Sequence, residues 1–258
     1  ELEDGSIVQA HTASLGCCGL CEKDCYVYAS PMLSNCPQSK SKVCTYKVYL
    51  AQIYEEKIIN YEKHINHQII GIDPKLAETL VEKALTNNCF PTLQNIKKHR
   101  REAALGNSRF DFIGIDNKGS YFILEVKNVP LSDFADVNHV EKKKLLKANA
   151  FKDLKFNEKI SYFPDGYRKT KGGVVSERAL KHINELADIT LSKIIRPIIC
   201  FVIQRTDSGS FQASNIDPTY KAAFNDALKK GVEVIILMVN WNADGEANFV
   251  TCDLPINL

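Results

Sequence analysis

No apolar run in the chain approaches the roughly 20 residues that a helix needs to cross a bilayer, so no membrane-spanning helix is expected. The opening Glu1-Leu2-Glu3-Asp4 is acidic and lacks a basic-then-apolar export signal, so an intracellular protein is expected. Net charge is scarce as well: +2 at pH 7 does not by itself announce a nucleic-acid partner. Standard zinc-module spacing is also lacking, although cysteine is not. Nine cysteines are present, and six of them (Cys17, Cys18, Cys21, Cys25, Cys36, Cys44) crowd the first 44 residues. Cys18-x-x-Cys21 with Cys25, Cys36 or Cys44 would supply a tetrahedral structural zinc site, but the odd total and the spacing favour free thiols. Cys89, Cys200 and Cys252 lie in apolar settings and read as core.

What is present is ordinary for a globular protein. The 258 residues are 45% apolar and 25% charged, enough for one large or two modest domains with an ample core. The charge is unevenly spread. From Glu141 to Lys181 there are twelve Lys/Arg against five Asp/Glu, and Lys97-Lys98-His99-Arg100-Arg101 is a second basic run. Beside a metal site such runs would attract a phosphate backbone; elsewhere they are solvated surface.

The most informative stretch is Ser108 to Asn128, S-R-F-D-F-I-G-I-D-N-K-G-S-Y-F-I-L-E-V-K-N. Two runs of β-branched and aromatic residues flank Asn117-Lys118-Gly119, a three-residue loop ending in Gly of the kind that closes a β-hairpin. The loop pairs Asp116 with Ser120, so Asp111 falls opposite Glu125 and Arg109 opposite Lys127. Period two then gathers Asp111, Glu125 and Lys127 on one face, with Phe110, Phe112, Phe122, Leu124 and Val126 on a core face. Two carboxylates facing each other across a ladder repel unless a cation lies between them. Mg²⁺ or Mn²⁺ suits two carboxylates plus water and phosphate, and a neighbouring lysine would position water or offset charge on phosphate. A charged, solvated strand face is the bland alternative. A glycosidase with Asp111 and Glu125 as paired acids is disfavoured, because the adjacent Lys127 depresses carboxylate pKa values.

Elsewhere Ser6 to His11, Tyr26 to Ser30 and Val43 to Tyr54 read as strands. Asp73-Pro74 opens a helix to about Asn88 that carries Glu78 and Glu82. His139 to Leu154 is a plausible helix, and residues 166–173 resemble a surface insertion. Ser176 caps a helix to about Asp188 that carries Arg178, Lys181 and His182. Pro197 to Arg205 is a buried strand that brings Gln204 to its mouth. Asp217-Pro218 starts a helix to Lys230, Val232 to Val239 is a second buried strand, and the tail with the sole Trp241 is an edge. Strand–helix–strand in this order predicts a partly parallel sheet.

The hairpin, Ser108-Arg109-Phe110-Asp111-Phe112 and Leu124-Glu125-Val126-Lys127-Asn128-Val129, resembles the sugar fermentation stimulation protein (SfsA-type) family. Other signatures of that family recur in order: Phe163-Pro164-Asp165, Ser176 to Ile183, Val202 to Asp207, Asp217 to Tyr220, Gly231 to Val234 and Asp253 to Leu258. The resemblance implies an α/β protein in two parts. Residues 1–68 would be an OB-like β-barrel, its first strand missing, with Ser14 to Cys18 departing from the family's loop motif. Residues 69–258 would be a restriction-endonuclease-like, PD-(D/E)xK mixed sheet flanked by helices. Nucleases of that type often draw another metal-facing Glu from the preceding helix; the SfsA pattern puts it at Lys83, leaving Glu82 as a candidate.

The resulting expectation is a divalent-metal-dependent nuclease acting on DNA rather than RNA. Asp111 and Glu125 would bind Mg²⁺ or Mn²⁺, with Lys127 activating water. Arg109, Asp165, Arg178, His182 and Gln204 would serve substrate or phosphate. The alternative is a non-catalytic DNA-binding or regulatory protein that keeps the hairpin for structure.

Overall fold

The computed structural model describes residues 1–13, 19–21, 23–32, 44–105, 108–164 and 174–258. Strands β1 (Ala10–His11), β2 (Val27–Pro31), β3 (Tyr46–Ile59) and β4 (Glu62–Gly71) form an N-terminal four-stranded sheet. β3 and β4 make a long antiparallel hairpin closed at Ile59↔Glu62. Its two-residue loop, Asn60-Tyr61, has φ of 51° and 67°, the left-handed pair whose twist matches that of the strands it joins. Among the described residues this sheet is open and no barrel closes. The Ser14 to Cys18 loop, together with Cys17, Cys18 and Cys36 of the suggested zinc set, lies outside the described residues.

Helix α1 (Pro74–Thr86) starts where the sequence indicates: Asp73 accepts the Lys75 N–H and Pro74 stands in the first turn. There follow β5 (Lys98–Leu105), β6 (Ser108–Ile115), β7 (Tyr121–Val129), β8 (Ser132–Asp133), α2 (His139–Lys147) and β9 (Lys159–Phe163). Then come α3 (Glu177–Ile189), β10 (Ile195–Ile203), β11 (Ser208–Ala213), α4 (Pro218–Lys230), β12 (Glu233–Trp241), β13 (Ala247–Thr251) and β14 (Ile256–Asn257). Ser176 and Asp217 cap α3 and α4 with their side chains, as their positions suggest. α2 is shorter than its apolar spacing implies and ends at Lys147.

The central sheet runs β13-β12-β10-β7-β6-β5. β10 is parallel to both β7 and β12, whereas β5–β6–β7 is an antiparallel meander, so the sheet is mixed. A smaller sheet runs β14-β11-β9-β8. α1 covers one face of the central sheet with Ala77, Val81 and Leu85 against Phe112, Phe122, Leu124 and Val126. α3 and α4 cover the other with Ile183, Leu186 and Phe224 against Ile123, Ile199 and Phe201. Burial on both faces explains the unbroken apolar runs of β10 and β12.

β5 is the strand the sequence hid. Lys97 to Arg101 reads as a basic run, yet Arg101 lies over the Phe112 ring and pairs with Glu78 and Glu82 of α1. Its long side chain covers apolar surface while its charge is met at the rim. The N-terminal sheet is tied to the small one by a buried charge network. Arg205 meets both carboxylate oxygens of Asp207, at 2.6 and 2.7 Å, and Lys159 reaches Asp207 at 3.0 Å and also pairs with Glu55 of β3. Asn66 of β4 donates to Asp207 at 2.7 Å, closing the set.

Candidate functional site

The hairpin has the register its loop dictates. Asp116 N–H donates to Ser120 O at 3.0 Å, and the pairs run from Ile115↔Tyr121 to Phe112↔Leu124. Counting alternate bonded pairs from Asp116/Ser120, the next would be Phe110/Val126. That pair is absent. The Val126 N–H goes instead to Asp111 Oδ2 at 2.7 Å, so the aspartate side chain takes the place of the Phe110 carbonyl. On its other side β6 loses one pair with β5 at the same point: Arg101↔Phe112 and Ala103↔Phe110 are paired while Glu102 and Asp111 are not. Glu102 has φ of 54°, an uncommon value for a residue other than Gly. Asp111 thus sits where both flanking ladders part.

The break changes the faces. Period two would keep Phe110 beside Phe112, but Phe110 packs with Ile123 and α3, its ring 5.9 Å from that of His182, whereas Phe112 packs under α1. The expected single core face is therefore split. The expected opposition of Arg109 and Lys127 is not formed either. Arg109 pairs with Ala104 of β5, is exposed, and bonds Glu102 at 2.7 Å, while Lys127 is paired with Phe201 of β10.

Asp111, Glu125, Val126 and Lys127 line one open cleft of about 280 Å³, together with Glu78, Asn128, Pro130, Phe163, Ser176 and Arg178. Glu125, only 2% exposed, is held from two sides through one oxygen. Lys127 Nζ donates to Oε1 at 2.5 Å, and the buried His182 donates from Nδ1 to the same oxygen. Oε2 is buried with no hydrogen-bond partner among the described residues. Burial pushes the Glu125 carboxyl up, but the bonds from His182 and Lys127 outweigh it, leaving the group below its usual range and ionised. Asp111 goes the other way. Burial and the Glu125 charge push it up to about 6, only partly countered by the Val126 N–H. Two carboxylates so driven apart are a common mark of a working site.

The site draws on several elements. Glu78 comes from α1 and also bonds Arg101 at 2.7 Å; Glu82, one turn further on, turns to His99 and Arg101 away from the cleft. The cleft-lining helix carboxylate is therefore Glu78 rather than Glu82. Arg178 stands exposed in the first turn of α3 and lines the cleft. His182 lies one turn on, buried behind Glu125, so it acts through that carboxylate and has no open path to a bound phosphate. Gln204 does not itself line the cleft: wholly buried, it donates to the cleft-lining Asn128 at 2.7 Å and accepts from Trp241 Nε1 at 2.9 Å. Asp165 lies outside the described residues. Tyr220 of α4 escaped notice in the sequence as anything but part of a motif. It is fully buried, its hydroxyl has no partner among the described residues, and burial and then Glu125 push its phenol up.

The molecule is thus an α/β protein whose mixed sheet opens at a carboxylate pair backed by a lysine and a histidine. The family model described as the sugar fermentation stimulation protein RE domain matches residues 75–139 and 150–245, and the chain belongs to that family. It is 29% identical over 245 residues to a sugar fermentation stimulation protein homolog of Roseobacter denitrificans, covering 94% of this chain and 84% of that one. A homolog from Crocosphaera subtropica is 28% identical over 242 residues, 91% and 80% of the two chains. Among solved structures, Pyrococcus furiosus SfsA in complex with Ca²⁺ superposes with a TM-score of 0.64 at 19% identity, over 90% of this chain and 78% of that one. Among the described residues no helix is long and apolar enough to cross a membrane.

Proposed function

We propose that the chain is a divalent-metal-dependent phosphodiesterase acting on nucleic acid, DNA in the first instance. The observation that carries this reading is that Asp111 and Glu125 line one cleft, where the buried Glu125 Oε2 has no hydrogen-bond partner among the described residues. An unpaired buried carboxylate oxygen is costly unless a cation meets it. The donor set suits Mg²⁺ or Mn²⁺, hard ions that take one or two carboxylates and complete their shell with water and phosphate. Among the described residues no group of three or more His, Cys, Asp or Glu is placed to hold a metal, so the Val126 carbonyl, water and substrate would fill the rest. The Ca²⁺ in the Pyrococcus furiosus protein supports a divalent ion in this fold.

A bound divalent ion would act as a Lewis acid at the phosphoryl oxygen and lower the pKa of bound water. The residues of this chain would do the rest. Lys127, held at Glu125, orients the attacking water and offsets charge on the phosphate. Arg178 and the N-terminal turn of α3, both at the cleft, hold the phosphate by charge and by free backbone N–H groups. Glu78 borders the same space and bounds how much negative charge the site admits.

One feature favours a second reading, a non-catalytic nucleic-acid-binding protein: Lys127 and His182 already donate hydrogen bonds to Glu125 Oε1. Cleavage of labelled single- and double-stranded DNA and RNA with Mn²⁺, Mg²⁺ or EDTA separates the two. Metal-dependent cutting by the wild type that Asp111→Ala abolishes is the expected result. Equal metal-free binding by both proteins, with no cutting by either, would replace the enzyme with the binding protein.

A further inference from the structure

The family model passes over residues 140–149, and those residues are most of α2. The helix has no buried residue, and a nine-residue helix is marginal in water without packing. It is nevertheless fixed. Asn138 caps it, Lys142 pairs with Asp133, and Phe151 stacks on Phe134. Lys57 of β3 donates to the Phe151 and Leu154 carbonyls at 2.7 and 2.5 Å. The structure thus spends several contacts on holding an exposed helix at one place.

Its charge is concentrated. Residues 139–155 carry six lysines against Glu141 and Asp153, a net +4 within a chain whose total is +2. The lysines are also sorted by face. Lys142 and Leu145, three apart, are half-buried and face the protein, while Lys143, Lys144 and Lys147 share the outer face at helical spacing. These three are exposed and make no ion pair among the described residues. Pro130 and Phe163 both line the cleft, and β8 pairs with β9 at Asp133↔Ile160. Residues 134–159 therefore leave and rejoin the fold through the β8–β9 pair, whose continuation at Pro130 and Phe163 lines the cleft.

We infer that the outer face of α2 is a phosphate-backbone docking strip, with Lys143, Lys144 and Lys147 holding the stretch of nucleic acid that flanks the phosphate in the cleft. The inference rests on the nucleic-acid reading above and adds to it a contact surface that lies outside the family's matched segments. Lysine contacts of this kind carry affinity without sequence preference and fall with salt, each removed contact making the plot of log K against log salt shallower by about one.

The test is anisotropy of a labelled DNA duplex titrated with Asp111→Ala protein in EDTA, so that substrate stays intact, over about 50–200 mM salt. Adding Lys143→Ala, Lys144→Ala and Lys147→Ala should weaken binding at least tenfold at low salt and flatten the salt plot by about two to three. Lys143→Glu with Lys147→Glu should weaken it further. An unchanged affinity and slope in the triple variant, with the parent still binding, overturns the strip and leaves the nucleic-acid reading standing. A parent that binds no DNA or RNA overturns both. Loss of binding to anionic phospholipid vesicles, with duplex binding intact, would move the strip to a lipid surface and overturn the inference as well.

Discussion

Asp111 Oδ2 accepts the Val126 N–H at 2.7 Å, in the position that a regular ladder would give to the Phe110 carbonyl. One side-chain bond thereby opens the hairpin beside Glu125 and turns Phe110 towards α3. The site carboxylate is itself the structural cause of the site's geometry.

Because Glu125 and burial together disfavour the Asp111 charge, metal and mutation should trade against each other in stability. In EDTA, Asp111→Asn, which keeps an acceptor for Val126, is expected to melt at or above the wild-type temperature. Mn²⁺ at about a hundred times its Kd should stabilise the wild type by about 2.7 kcal/mol and the variant far less. Equal Mn²⁺ shifts in both melts would mean that Asp111 holds no ion.

His182 fixes Glu125 without facing the cleft, so its removal should be felt as metal affinity. His182→Leu should weaken Mn²⁺ binding by about 10- to 100-fold in calorimetry, the usual cost of losing a residue that orients a ligand. His182→Asn, which can still donate, should recover part of that. Wild-type affinity in the leucine variant would assign His182 to packing against Phe110 alone.

The buried Arg205–Asp207–Lys159 set predicts an acid transition. Burial would push the Asp207 carboxyl up, but the bonds and charges of Arg205 and Lys159 hold it at about 2, against a usual 3.8. A depressed carboxylate adds stability above its unfolded pKa and loses it as pH falls through the folded one. Roughly 2 kcal/mol should therefore vanish between about pH 4 and pH 2. Asp207→Asn, which leaves two buried cations short of an anion, should cost on the order of 3–5 kcal/mol at neutral pH. Urea midpoints across this range decide the matter; a flat profile in the wild type would contradict the network.

Gly71, at the end of β4, has no room for a side chain. A Cβ there would lie 1.7 Å from Gln204 Oε1, and Gln204 is held in turn by Asn128 and Trp241. Gly71→Ala should cost roughly 2–4 kcal/mol through overpacking and broken buried bonds. A wild-type urea midpoint would show that Gln204 swings aside freely.

Local chemistry was legible in the linear chain. Asn117-Lys118-Gly119 sets the hairpin register from Ile115↔Tyr121 to Phe112↔Leu124, because a turn and a period of two need only near neighbours. Asp73-Pro74, Ser176 and Asp217-Pro218 announce α1, α3 and α4 for the same reason, since a cap is satisfied within three residues. β5 was not legible, because its strand character depends on Phe112, Glu78 and Glu82, which reach it only in the folded sheet.

The sequence by itself determined the hairpin pairs from Ile115↔Tyr121 to Phe112↔Leu124 and where three of the helices begin. Only the tertiary structure decided that Glu78 and not Glu82 reaches the cleft, that His182 backs Glu125, that Arg109 stands apart, and that Gln204 sits behind Asn128. Those choices turn on how α1 and α3 dock against a sheet whose alternation breaks at Glu102 and Asp111. Docking is set by packing between residues distant in the chain, which no spacing along it records.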